Sequence, residues 1–181
     1  MQNWKDLYIE LAEQLSDKIP AIKYFDLWHN QVNFLSEEHH FPSPALFFDF
    51  RIIEAKDSGN MVQTVKLQVD TYLFYETFAD TYKGSHNQST AVQFLEILNE
   101  VYGHLHAKSG NNYSEMRHNA LQSIDTGGAG NTYRIGFECT LQDYAAQNIY
   151  IDGTVSDVDI IPGDSPDLVD EMPIFILPVN Q

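Results

Sequence analysis

Cysteine is nearly absent: the single thiol, Cys139, excludes an intramolecular disulfide, so the fold must rest on packing. Basic side chains are scarce too, 10 Lys and Arg against 26 Asp and Glu, for a formal charge of −16. That balance argues against gripping a phosphate backbone through a basic patch, which needs cations to displace counterions. No apolar run approaches the roughly 20 residues of a membrane-spanning helix. The N-terminal MQNWKDLYIELAEQL lacks the basic start and apolar core of a signal peptide. The expectation is a cytoplasmic protein with neither a membrane partner nor a sequence-specific nucleic-acid partner. HExxH spacing, a GxSxG elbow and a lysine-bearing phosphate loop are also missing.

What the chain does have is apolar and strongly aromatic, with 11 Phe, 10 Tyr and 2 Trp among 181 residues, enough for the core of one domain with an extension. The pattern centres on residues 45–77. ALFFDFRIIEA and MVQTVKLQVDTYLFYET flank the turn-forming KDSGN, which reads as a β-hairpin. In the second arm Val65, Leu67, Val69, Thr71, Leu73 and Tyr75 alternate with Lys66, Gln68, Asp70, Tyr72 and Phe74. One face of this arm should be buried throughout, and the aromatic far end covered on both.

Around the hairpin the chain supplies helices. Trp4, Leu7, Tyr8, Leu11 and Leu15 fall on one stripe of a helix from Asn3, its expected N-cap, to about Ser16, with Pro20 as a stop. Residues 22–35 read as a short strand and a connection, and residues 36–44 as a proline-containing loop. Ser89 or Thr90 should cap a second helix reaching about Lys108, with Gly110 as terminator. Its buried stripe is Val92, Leu95, Leu98, Val101, Tyr102 and Leu105, widened by Phe94 and Ile97. A second hairpin follows over residues 113–144, and Tyr133, Ile135, Phe137, Cys139 and Leu141 alternate along its return arm. The expected fold is α+β: a mostly antiparallel sheet of four or more strands built from two hairpins, with two helices on one face. Residues 1–145 make this domain. Residues 146–181 hold no Lys or Arg and form an acidic, Pro-containing extension with apolar islands. Those islands suit an arm docked on its own domain or on a neighbour by strand addition.

Candidate chemistry is thin. His39 and His40 are adjacent and point apart in an extended segment, and His104 and His106 sit about 200° apart on a helix, so neither pair suits one metal ion. TGGAGN precedes a strand, not a helix, and reads as a hairpin turn. The acid pairs Asp49 with Asp70 and Glu138 with Asp143 lack any arrangement that a sequence can establish. Cys139, beside Glu138 and on an alternating strand, reads as a buried structural thiol. No catalytic residue, cofactor or metal site is expected.

Four segments carry a resemblance: PALFFDF at 44–50, VKLQVDTYLF at 65–74, the capped helix STAVQFLEILNEVYGHL at 89–105 and YRIGFECTLQD at 133–143. In this order the chain, over roughly residues 3–145, resembles the tail terminator or tail completion proteins of long-tailed phages and prophages; the acidic extension departs from that pattern. The resemblance implies a structural protein that forms a ring, commonly of six subunits, capping the tail tube and joining it to the head connector. It also implies residence in the cytoplasm during assembly and in the virion tail thereafter. Candidate contacts are Asp57, Ser58, Gly59 and Asn60 at the hairpin tip, Tyr82 and Lys83 in the following loop, and Phe175 and Ile176 in the extension. The competing expectation is a small-ligand or peptide-binding module.

Overall fold

The structure, a computed structural model, describes residues 2–34, 40–76, 81–125 and 130–149. Helix α1 (Gln2–Lys18) leads to strand β1 (Tyr24–Leu27) and a 3-10 turn, Gln31–Phe34. Strands β2 (Ala45–Asp57) and β3 (Gln63–Tyr75) form the long hairpin. Short α2 (Gln88–Ala91) and longer α3 (Gln93–Leu105) precede β4 (Arg117–Ile124) and β5 (Asn131–Asp143), and α4 (Ala145–Ile149) follows. The strands make one sheet in the order β1-β2-β3-β5-β4. The α+β expectation holds in this coarser form.

The sheet itself is mixed, which corrects the expected mostly antiparallel sheet built from two hairpins. β1 belongs to neither hairpin and runs parallel to β2, pairing Tyr24 with Ala45 through Leu27 with Phe48. The aromatics of residues 22–35 follow no clean period because only four of them form this strand. β3 is the hub, antiparallel to β2 on one side and to β5 on the other.

Alternation along β3 decides where the core lies. Val65, Leu67, Val69 and Leu73 join Leu46 and Phe48 of β2 and Ile135, Phe137, Cys139 and Leu141 of β5 in one buried cluster. Leu7, Leu11 and Leu15 of α1 are fully buried against it, and α3 adds Phe94, Ile97, Leu98, Val101 and Leu105. Both helices therefore cover the same face. Each such side chain taken from water stabilises by about 1.5–3 kcal/mol, an upper range set against the entropy of ordering it.

Helix boundaries differ from expectation in three places. Asn3 lies within α1 rather than capping it. The second helical segment is broken at Val92 and ends at Leu105, not near Lys108, because residues 106–108 turn to meet Met116: Ala107 N–H donates to Met116 O and Met116 N–H to Lys108 O, both 2.8 Å. The buried stripe of α3 is also rotated, leaving Leu95 and Tyr102 44% and 40% exposed. Tyr102 stacks on His106 and meets His118 of β4 edge-on, so it faces the sheet's β4 side rather than its centre.

The α3–β4 connection is locked to α1. Both oxygens of Glu10 accept bonds from the connection: Asn111 N–H at 2.6 Å, Asn112 N–H at 3.1 Å and Asn112 Nδ2 at 2.7 Å. Gly110 belongs here because a Cβ would collide with Glu10 Oε1 and Tyr113 Cε1. The Tyr113 hydroxyl donates to Gln14 Oε1 at 2.9 Å.

Two of these buried groups resist ionisation. Burial pushes the Cys139 thiol up from 9.0 to about 12. Burial, and then the Glu10 charge, push Tyr113 from 10.0 to about 12. The folded chain thus keeps protons that the unfolded chain releases, so stability is fully present below about pH 9 and falls as pH rises towards 12. Urea titrations should show this alkaline decline, and Tyr113→Phe should remove the part that begins near pH 10, while losing about 1 kcal/mol at neutral pH with its hydrogen bond. A decline unchanged in Tyr113→Phe would refute the assignment. A thiol reagent at pH 8 should leave native Cys139 untouched and titrate it in denaturant.

Candidate interaction surface

The face of the sheet opposite the helices changes character along its length. At one end Tyr24, Trp28, Phe41, Phe47, Tyr72 and Phe74 form a second apolar cluster, with Trp28 stacked on Tyr72 at a centroid distance of 4.1 Å. The aromatic far end of β3 is thus covered on both faces, as its sequence suggests.

In the middle, polar side chains are buried where alternation alone would place solvent. Gln68 is 4% exposed and Asp70 6%. Arg134 Nη2 lies 2.8 Å from Asp70 Oδ2 and Gln68 Nε2 donates to Asp70 Oδ1 at 2.8 Å. Asn119 Nδ2 of β4 donates to Gln68 Oε1, also at 2.8 Å. Gly136 makes room for this network, since a Cβ there would stand 2.6 Å from Asn119 Oδ1 and 2.8 Å from Gln68 Nε2. The bond to Asp70 raises the pKa of Arg134 further. Tyr72 resists ionisation through burial first and then through Asp70 and Asp49, with Arg134 and Arg51 acting the other way. Asp49 and Asp70 are register partners across β2 and β3, so these two acids do meet, with Arg134 paired to Asp70. Glu138 pairs with Lys66 at 2.8 Å instead of with Asp143, and that bond, assisted by Asn119, holds its carboxyl below the ordinary carboxylate range.

Towards the hairpin tip the cover ends. Every residue of β2 from Arg51 to Asp57 is exposed, including Ile52 at 46% and Ile53 at 44%. The tip is well ordered by its own bonds. Gln63 Nε2 donates to Asp57 Oδ1 at 2.8 Å, Ser58 N–H to Val62 O at 2.8 Å, and the Ser58 and Thr64 hydroxyls lie 2.7 Å apart. Gly59 takes a φ of +87°, which its lack of a Cβ permits, and Asn60 and Met61 also have positive φ.

The sequence-named contacts therefore fall in separate places. Asp57, Ser58, Gly59 and Asn60 form one exposed tip. Tyr82, 64% exposed, and Lys83 follow β3 at its other end. Phe175 and Ile176, with the extension from residue 150 onward, lie outside the described residues, as do His39 and the core of the TGGAGN turn. The Asp70–Arg134–Gln68–Asn119 network was not legible as a unit. Its one signal was Gly136 in the middle of an alternating strand, a mark of close approach.

Hollows among the described residues are open and lined by polar and apolar groups together; one of about 380 Å³ lies beside Tyr113, Leu141 and Tyr144 and is more apolar than polar. One of about 440 Å³ lies between α1 and the connection, lined by Asp6, Glu10, Glu13, Asp17 and Asn112 among others. Another of about 440 Å³ lies on the sheet beside Lys66, Arg117 and Glu138. Among the described residues no three His, Cys, Asp or Glu side chains are grouped to hold a metal ion, and no helix is long and apolar enough to cross a membrane.

No protein-family model matches the chain, and no curated protein matches it.

The network makes a quantitative claim. Gly136→Ala should cost about 1–3 kcal/mol through overpacking. Arg134→Ala should cost about 3–5 kcal/mol by leaving Asp70 buried and unpaired, whereas Arg51→Ala, on the exposed stretch, should stay within about 0.5 kcal/mol. Urea midpoints at pH 7 read all three, and equal effects for the two arginines would contradict the assignment.

Proposed function

We propose that this chain is a structural subunit of a phage or prophage tail, which caps or completes the tail tube and joins it to the head connector by assembling into a ring. The observation that carries the reading is the uncovered half of β2, exposed from Arg51 to Asp57 beyond the end of β1 yet backed by β3 and tied at the tip by its own hydrogen bonds. A ring of identical subunits needs two different patches on each copy, and the exposed edge of β2 supplies one of them. The order of elements supports the same reading, since helix, long hairpin, helix and second hairpin follow in the sequence expected from the terminator resemblance.

The mechanism is assembly by surface complementarity, without turnover. The charge of −16 keeps unassembled subunits apart and soluble. The tube and connector proteins are the partners, six copies the expected ring, and the virion tail the destination. The alternative is a small-ligand or peptide-binding module; the openness of the hollows among the described residues supports assembly over it.

Light scattering over a range of concentrations, followed by capture with a tail-tube protein from the same gene cluster, tests the proposal. The expected result is a discrete ring, formed either by the chain alone or on the tube protein. A monomer that ignores the tube protein would overturn it.

A further inference from the structure

After α3 the chain turns back along the start of β4, and three hydrogen bonds hold it there. Two run between peptide groups: Ala107 N–H donates to Met116 O and Met116 N–H to Lys108 O, each at 2.8 Å. The third is of another kind. His118 N–H donates to Nδ1 of the His106 ring at 3.2 Å, so an imidazole takes the place of a backbone carbonyl. A ring nitrogen accepts only while it carries no proton, which fixes His106 as the neutral tautomer with its proton on Nε2.

Ala107, next in the chain, has a φ of +58°. That left-handed conformation crowds an alanine Cβ against its own backbone and persists only where contacts hold it. The bonds from this connection to Met116 and His118 therefore oppose a local strain.

The surroundings of His106 respond to charge. Its ring lies on the face of Tyr102, with 5.1 Å between centroids and 15° between planes. His118 meets the same tyrosine edge-on, also at 5.1 Å, and is backed by Phe137 of β5 at 5.6 Å. Two imidazoles thus share one tyrosine ring. Arg117 lies 4.0 Å from Glu115 and is registered with Glu138, whereas His118 is registered with Phe137 of the core. Alternation therefore puts Arg117 on the opposite face of the sheet from His118. Lys108 in the connection is a further cation, and His104, whose carbonyl accepts from Gln14 Nε2 of α1 at 3.3 Å, a further imidazole. The carbonyl end of α3 and the face of Tyr102 both attract a cation, but neither replaces the acceptor that His118 N–H would lose.

We infer that His106 is a pH-operated latch, which clasps residues 106–108 to the start of β4 when neutral and releases them when protonated. The step takes up one proton and breaks one hydrogen bond. A proton bound at Nδ1 turns the acceptor into a donor facing the N–H of His118, so that attraction becomes repulsion. A charge on His118, at the edge of the same tyrosine, acts in the same direction. Once released, Ala107 relaxes and the outer peptide groups of Met116 lose their partners. The start of β4 then changes from a covered edge to an open one within the range in which imidazoles titrate, about pH 5–8. This inference does not depend on the ring reading.

Amide hydrogen exchange of the full-length chain tests it, at one dilute concentration and at about pH 7.5 and about pH 5.5. Mass spectrometry reads residues 106–118, with exchange of the unfolded chain at each pH as the reference. Protection there should fall about tenfold at the lower pH, while α1 and β3 keep theirs. In His106→Asn the side-chain carbonyl accepts without titrating, so protection should be the same at both pH values. His106→Leu has no acceptor and should show the low protection at both, with circular dichroism to confirm folding. His118→Gln should respond to pH as the wild-type chain does. Equal wild-type protection at the two pH values would overturn the latch, as would a pH response that survives in His106→Asn. A response lost in His118→Gln alone would overturn it in favour of His118.

Discussion

The bond between Arg134 and Asp70 ties the two hairpins together from the side the helices do not reach. It runs diagonally between β5 and β3, since Asp70 is registered opposite Gly136 and Arg134 opposite Tyr72. A one-residue slip between these strands would turn Phe137 and Ile135 out of the core and strip Asp70 of its cation. The apolar face penalises the slip through lost burial and the polar face through an unpaired buried carboxylate. Gln68 and Asn119 carry the constraint on to β4, and Gly136 provides the space in which it fits. The register of the sheet is thereby fixed from both faces.

A sheet so fixed can hold an uncovered edge strand: Val65 and Leu67 of β3 stay in the core while Ala55 and Ile52 of β2, paired with them, lie exposed. β3 continues past the cover on β2's outer side, and β5 stays paired with it as far as Gln63 opposite Asp143. The uncovered part of β2 is consequently backed by two strands and rigid, although its own outer edge and both faces are exposed. That combination of local exposure and long-range support favours an assembly surface over a mobile loop. It also explains the burial of charge at the centre of the open face: Asp70 and Arg134 serve the stiffness on which the uncovered strand depends.

The sequence made the covered face readable because its signals are local. Leu7, Leu11 and Leu15 repeat at helical spacing, and Val65 to Leu73 and Tyr133 to Leu141 alternate, so their partners follow from periodicity alone. The parallel placement of β1 was not readable, since YFDL is too short to carry a period and parallel pairing depends on what lies between it and Ala45. The phase of α3 was misread because the Tyr102 ring turns to His106 and to His118 of β4, and Leu95 is left exposed. Lys66, Gln68 and Asp70 looked like an ordinary solvated row. Only cross-strand partners more than fifty residues away, Asn119 and Arg134, make Gln68 and Asp70 interior. The tip was legible as a turn from DSGN, but the exposure of the strand leading to it depends on where β1 stops.

Amide hydrogen exchange, compared between dilute and concentrated solutions of the full-length chain, tests the assembly account most directly. If the uncovered half of β2 is an assembly surface, amides within residues 49–57 gain protection as concentration rises, while those of α1 do not change. Protection that stays constant in residues 49–57 while the mass increases would place the contact elsewhere and contradict the account.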